Sequence, residues 1–145
     1  MLKKSLISLS VIFIFVAASF AQQAAYTPDR DSADWKAILG ALRVPVEKEL
    51  KQKIKFSVQN FKMQGVWAFV GGAPQNSSGG EPNYRNTKYA SQVSDGAFDN
   101  NFQALLKKTG GKWKVITCAI GCTDVCWLDW DTKYKAPKAI FQIEE

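Results

Sequence analysis

Between Leu42 and Ile54 the spacing of apolar residues switches from helical to alternating, and this switch constrains the fold more than any other feature of the chain. Trp35, Ile38, Leu39 and Leu42 fall at i, i+3, i+4 and i+7, one face of a helix. Asp31 or Ser32 is placed to cap that helix, and Asp34 puts negative charge in its first turn. Pro45 is expected to end it, because the residue before a proline is pushed out of the helical region. Residues 46–50 then read as a short second turn opened by Pro45. From Ile54 onward, Ile54, Phe56 and Val58 alternate with Lys55, Ser57 and Gln59, the pattern of a half-buried strand. A helix with one apolar face, followed by strands with one apolar face, buries both by packing helix on sheet.

The strands pair up along the chain. Phe61 and Met63 fall on the opposite parity to Phe56 and Val58, which predicts a bulge near Gln59 and Asn60 or a strand covered on both faces. Gln64 and Gly65 form a tight turn into a return strand over 66–70. Residues 71–95 read as a long polar loop rich in Gly, Pro, Asn and Ser, a length that in a small domain marks a functional or mobile segment. Its second half, 84–89, has the composition of a segment that packs. A second hairpin joins 102–108 to 113–120 across Gly110 and Gly111. Helix competes over 101–108 because Ala104, Leu105 and Leu106 are good helix formers, but the glycine turn into a β-branched run favours strand. Strict alternation would put Trp113, Val115, Thr117 and Ala119 on one face and Ile116, Cys118 and Ile120 on the other. Thr123 or Asp124 then caps a short helix carrying Trp127, Trp130 and Tyr134, Pro137 stops it, and 138–143 reads as a last edge strand.

The expected class is α+β: an antiparallel sheet of four to five strands, with the N-terminal helix packed on one face and a short C-terminal helix. The order helix, hairpin, long loop, hairpin, short helix resembles the cystatin-like and NTF2-like group, in which a curved sheet wraps a helix. The run Gly121, Cys122, Thr123, Asp124, Val125, followed by Trp127, Trp130 and Tyr134 to Pro137, resembles segments of small exported bacterial proteins of unassigned function. That likeness implies a family and no activity.

The first 21 residues fix the expected compartment. Lys3 and Lys4 head an apolar run over 6–18, and Ser19 and Ala21 supply small residues at −3 and −1 of a cut after Ala21. This is the secretory signal pattern, too short for a comfortable membrane span. Residues 22–145 then form one exported, periplasmic or secreted domain without a stable membrane span.

Composition excludes several chemistries. Histidine is absent, which removes the commonest general base and metal ligand and any Ser-His-Asp or Cys-His mechanism within the chain. The net charge of +6 falls to +4 without Lys3 and Lys4. The excess is scattered lysine, and only Arg30, Arg43 and Arg85 are arginines, so no nucleic-acid partner is indicated. No phosphate loop, nucleophile elbow or paired-carboxylate signature occurs, and no cofactor or metal is implied.

Cys118, Cys122 and Cys126 follow a C-x3-C-x3-C spacing. A disulfide between two of them, three reduced core thiols and a metal site all fit, and the spacing chooses no pair. Asp124 and Asp129 beside Trp127 and Trp130 offer a carboxylate against an aromatic wall. The alternative is a helix cap and solvent-facing charge. Tyr134 continues that aromatic face, and Tyr84, Arg85 and Tyr89 in the long loop are a second candidate contact surface. The leading expectation is a non-catalytic binding module for a protein partner or cell-envelope component. The alternative is a small NTF2-like pocket enzyme or ligand carrier that uses Asp124 or Asp129.

Overall fold

The computed structural model describes residues 23–142, so the signal-like segment 1–21, Gln22 and the end of the expected last strand at Ile143 lie outside the described residues. Helix α1 spans Ala33–Leu50, and the Ser32 Oγ accepts the Trp35 N–H at 3.2 Å as its cap. Pro45 does not end it. Ile38, Leu42, Val46 and Leu50 recur every fourth residue and are at most 1% exposed. Burying Val46 and Leu50 is worth about 1.5 to 3 kcal/mol each. An interior proline costs about 3 kcal/mol, so the helix runs through it.

Strands β1 (Lys55–Gln64), β2 (Trp67–Gln75), β3 (Phe102–Thr109) and β4 (Lys112–Ile120) form one antiparallel meander in the order β1-β2-β3-β4. Gly65 (φ 57°) turns the first hairpin. Gly110 and Gly111 (φ 58° and 75°) supply the two positive φ values that a two-residue turn of the second hairpin demands. The register of β1 against β2 slips between Val58 and Asn60. This bulge returns Phe61 and Met63 to the face already held by Phe56 and Val58.

A second slip corrects the expected faces of β4. Leu105 pairs with Thr117 and Leu106 with Val115, leaving Ile116 unmatched and 39% exposed. Val115 and Cys118 therefore both pack toward α1, while Ala119 packs on the far side.

The expected loop over 71–95 is shorter than its composition implied. Strand β2 continues to Gln75, and Ala90–Ser94 forms a one-turn helix, α2. Gly71 and Gly72 are therefore strand residues. A Cβ on Gly72 would stand 2.0 Å from the Ser57 carbonyl oxygen, and one on Gly71 would stand 2.1 Å from the Gln103 Oε1. Asn76 organises the remaining turn: its Oδ1 accepts the N–H of Ser78 and Gly80 at 2.9 and 3.1 Å, and its Nδ2 donates to the Glu81 carbonyl at 2.9 Å.

Both faces of the sheet are covered. Helix α1 and residues 84–98 close over one face. On the other, Phe69, Leu105 and Trp67 meet Trp130, Ala136, Ile140 and Phe141 from the C-terminal segment. In that segment Trp130–Tyr134 is helix α3, and Lys138–Phe141 is a 3-10 turn, not the expected edge strand. Ile140 and Phe141 both dock on the sheet. A strand would have sent neighbouring side chains to opposite faces, so the turn buries more.

Candidate functional site

The loop between β4 and α3 is anchored at both ends and exposed in the middle. Gly121 opens it at φ 81°, where a Cβ would stand 2.1 Å from the Phe98 ring. The Asn101 side chain then clamps Cys122, donating to its carbonyl at 2.7 Å and accepting its N–H at 3.0 Å. Cys122 and Cys126 are joined by a disulfide, which selects one pairing from the three cysteines and leaves Cys118 free.

At the far end, Trp127 and Trp130 pack on Phe69 with ring centroids at 5.8 and 6.3 Å, and Tyr134 meets Trp130 edge-on. Trp127 and Trp130 both turn toward Phe69, and two apolar residues of the same loop are left outside. Val125 is 46% exposed and Leu128 80%. A cleft of about 210 Å³ opens beside them, lined by Val125, Trp127, Leu128, Asp131, Lys138 and Phe141. Sequence reasoning singled out the two tryptophans and missed Val125, Leu128 and Phe141. The signal was present: once Trp127 and Trp130 are inward, a leucine between them has no core to enter.

The carboxylates of this loop are not in a buried site. Asp124 and Asp129 are exposed and Asp131 is half-buried. Asp124 accepts the N–H of Val125 at 2.7 Å, and Asp131 accepts that of Thr132 at 2.8 Å. Among the described residues none of the three makes an ion pair. The expected cap at Thr123 or Asp124 is also absent, because α3 begins only at Trp130.

Tyr84 and Tyr89 lie on the other side of the sheet and do not join this loop. They are 6% and 8% exposed and pack on Phe98, with centroids at 4.6 and 5.3 Å. The Tyr84 hydroxyl donates to Asn100 and the Tyr89 hydroxyl to Glu49, whose carboxylate also pairs with Lys88 at 2.8 Å. Burial pushes both phenols well above their ordinary value. The expected contact surface of Tyr84, Arg85 and Tyr89 is thus mostly core, and only Arg85 is exposed. Polarity had suggested a loop surface, but two aromatic rings in a polar segment gain more by burial with their hydroxyls satisfied. Cys118 lies in the same neighbourhood. Burial, then the Glu49 charge, pushes its thiol up to about 12.

Among the described residues no group of three or more acidic or cysteine side chains is placed to hold a metal ion. No described helix is long and apolar enough to cross a membrane. The fold and the loop define a class: a helix-on-sheet α+β domain with a second aromatic layer and a disulfide-pinned surface loop. No family model matches the chain, and neither a curated protein nor a solved structure matches it.

Proposed function

We propose that the protein is an exported, non-catalytic binding module whose contact surface for a protein partner is the loop 122–131. The observation that carries this reading is Leu128, 80% exposed beside an open cleft on a loop held by a disulfide and an asparagine clamp. Leu128 does not stand alone: Val125, Trp127 and Phe141 line the same cleft, and a contiguous exposed apolar patch marks a contact surface where a single exposed leucine would not. Pre-ordering the loop reduces the entropy lost on binding. The Cys122–Cys126 disulfide supports export, because such bonds persist in oxidising compartments.

The pocket-enzyme alternative has less to rest on. Asp124 and Asp129 are both exposed, and neither lines the cleft beside Leu128.

The test is affinity capture from the protein's own envelope and secreted fractions, with wild type and Leu128→Asp side by side, washed at low and high salt. A stoichiometric protein held by wild type and lost with Leu128→Asp is the expected result. Equal capture by the variant removes the loop as the contact. No capture by wild type at either salt removes the protein-partner reading.

A further inference from the structure

Two side-chain amides stand on either side of a glycine, on the sheet face that the C-terminal segment covers. The register sets Asn60 of β1, Gly71 of β2 and Gln103 of β3 in one row across the sheet. Residues in one row share a face. Gln103 is 7% exposed, and its Oε1 is enclosed without a hydrogen-bond partner. A buried oxygen left so costs about 1 to 3 kcal/mol. The Gln103 amide leans over Gly71 with that oxygen leading: a Cβ on Gly71 would stand 2.1 Å from Oε1, 3.0 Å from Cδ and 3.2 Å from Nε2. Gly71 thus puts no side chain between the Gln103 amide and Asn60.

Asn60 is half-buried, and among the described residues its side chain makes no hydrogen bond. It lines a cleft of about 200 Å³ at the β1 edge. That is far above the roughly 15 Å³ that one water needs. Phe69 and Ile140, both fully buried, form the floor, and the exposed Thr27 and Gln59 form the rim. Lys62 also lines it and is already engaged.

These groups ask for three things of one small ligand group. The Gln103 oxygen needs a donor, the Asn60 amide has a donor to give, and the floor needs an apolar neighbour. A carboxylate brings no donor. An ammonium brings a charge that no described acidic side chain in the cleft answers. A secondary acetamide brings an N–H, a carbonyl and a methyl. In its trans form the N–H and the carbonyl point opposite ways, and the two side-chain amides approach from opposite sides.

We infer that this cleft binds an N-acetylated amino sugar by its acetamido group. The N–H donates to the Gln103 Oε1, the carbonyl accepts from the Asn60 Nδ2, and the methyl rests on Phe69 and Ile140. The polar rim of Thr27 and Gln59 meets the ring hydroxyls, which favours a sugar over the alkyl chain of an acetylated lysine. The site lies apart from loop 122–131 and does not depend on the partner reading.

Titration of N-acetylglucosamine into the isotopically labelled protein, followed by nuclear magnetic resonance of the Asn60 and Gln103 side-chain amides, tests this. Both signals are expected to shift saturably, and glucosamine and glucose are expected to leave them unmoved. Gln103→Met keeps the bulk and removes the oxygen, so affinity should fall at least about fivefold. Its melting temperature should equal or exceed that of wild type, because an unpaired buried oxygen is gone. Gly71→Ala should abolish binding by displacing the amide, with near-ultraviolet circular dichroism checking its fold. No saturable shift, equal shifts with glucose, or unchanged affinity in Gln103→Met would each overturn the inference. A lowered melting temperature in Gln103→Met would also overturn it, since the amide would then serve the fold. Tighter binding of side-chain-acetylated lysine than of the sugar would overturn the choice of a sugar.

Discussion

The Asp34 carboxylate, in the first turn of α1, accepts the indole N–H of Trp113 on β4 at 2.8 Å. The same oxygen pairs with Lys108 of β3 at 3.2 Å, so one side chain ties the start of the helix to the second hairpin.

The Trp113 hydrogen bond, ahead of Lys108, holds the Asp34 carboxyl below its ordinary value of 3.8. A depressed carboxyl gives stability that is fully present above the ordinary value and is lost as pH falls through the depressed one. Asp34→Ala is expected to cost about 1 kcal/mol, the low end for a charged hydrogen bond because the side chain is 38% exposed. Urea unfolding at neutral pH and again near pH 3 checks this. The gap between wild type and variant should narrow in acid, and a constant gap would show that Asp34 acts in some other way.

Truncating Tyr84 or Tyr89 should unfold the domain before it changes any surface. Loss of a buried ring costs about 3 to 5 kcal/mol, so Tyr84→Ala and Tyr89→Ala should each lower the melting temperature sharply. Tyr89→Phe keeps the packing on Phe98 and loses only the hydrogen bond to Glu49. It should cost about 1 to 2 kcal/mol. Thermal melts of the three variants separate the contributions of ring and hydroxyl.

Gly71 and Gly72 are adjacent and should respond differently to alanine. At Gly72 the new Cβ meets the Ser57 backbone, which cannot move without breaking the β1–β2 pairing. At Gly71 it meets the end of the Gln103 side chain, which can rotate away. Gly72→Ala is therefore expected to destabilise by several-fold more than Gly71→Ala in chemical denaturation. Equal effects would mean that the sheet shifts as a whole.

The three cysteines should separate chemically. Cys118 is half-buried against the helix-side core and its thiol is raised to about 12, so iodoacetamide should modify it far more slowly in the folded than in the unfolded protein. The Cys122–Cys126 bridge closes a loop of a few residues in the surface layer, outside both cores. On chain entropy it contributes about 2 kcal/mol. A paired Cys122→Ser and Cys126→Ser variant should keep its far-ultraviolet spectrum and most of its stability. Its backbone amides over 122–128 should exchange hydrogen faster. Global unfolding of that variant would place the bridge in the fold itself.

The sequence by itself determined the elements whose signals are local. The 3.6 period of Ile38 and Leu42 gave the helix, alternation gave the first strand, and the parity break at Phe61 left a bulge near Gln59 or a doubly covered strand, between which the register slip chose the bulge. Gly110 and Gly111 fixed the second hairpin because few other residues tolerate their φ values. The tertiary structure decided what depends on a neighbour distant in sequence. Pro45 stays helical because Val46 and Leu50 find a core. Ile140 and Phe141 turn because both find Phe69 and its surroundings. Tyr84 and Tyr89 go inside because Phe98, Asn100 and Glu49 await them. Leu128 is exposed because Trp127 and Trp130 take the inward positions on either side of it. Local propensities differ by about 1 kcal/mol or less per residue, or about 3 kcal/mol at a proline, whereas burying each large side chain is worth about 1.5 to 3 kcal/mol and several are buried together. Wherever the two disagree in this chain, burial wins.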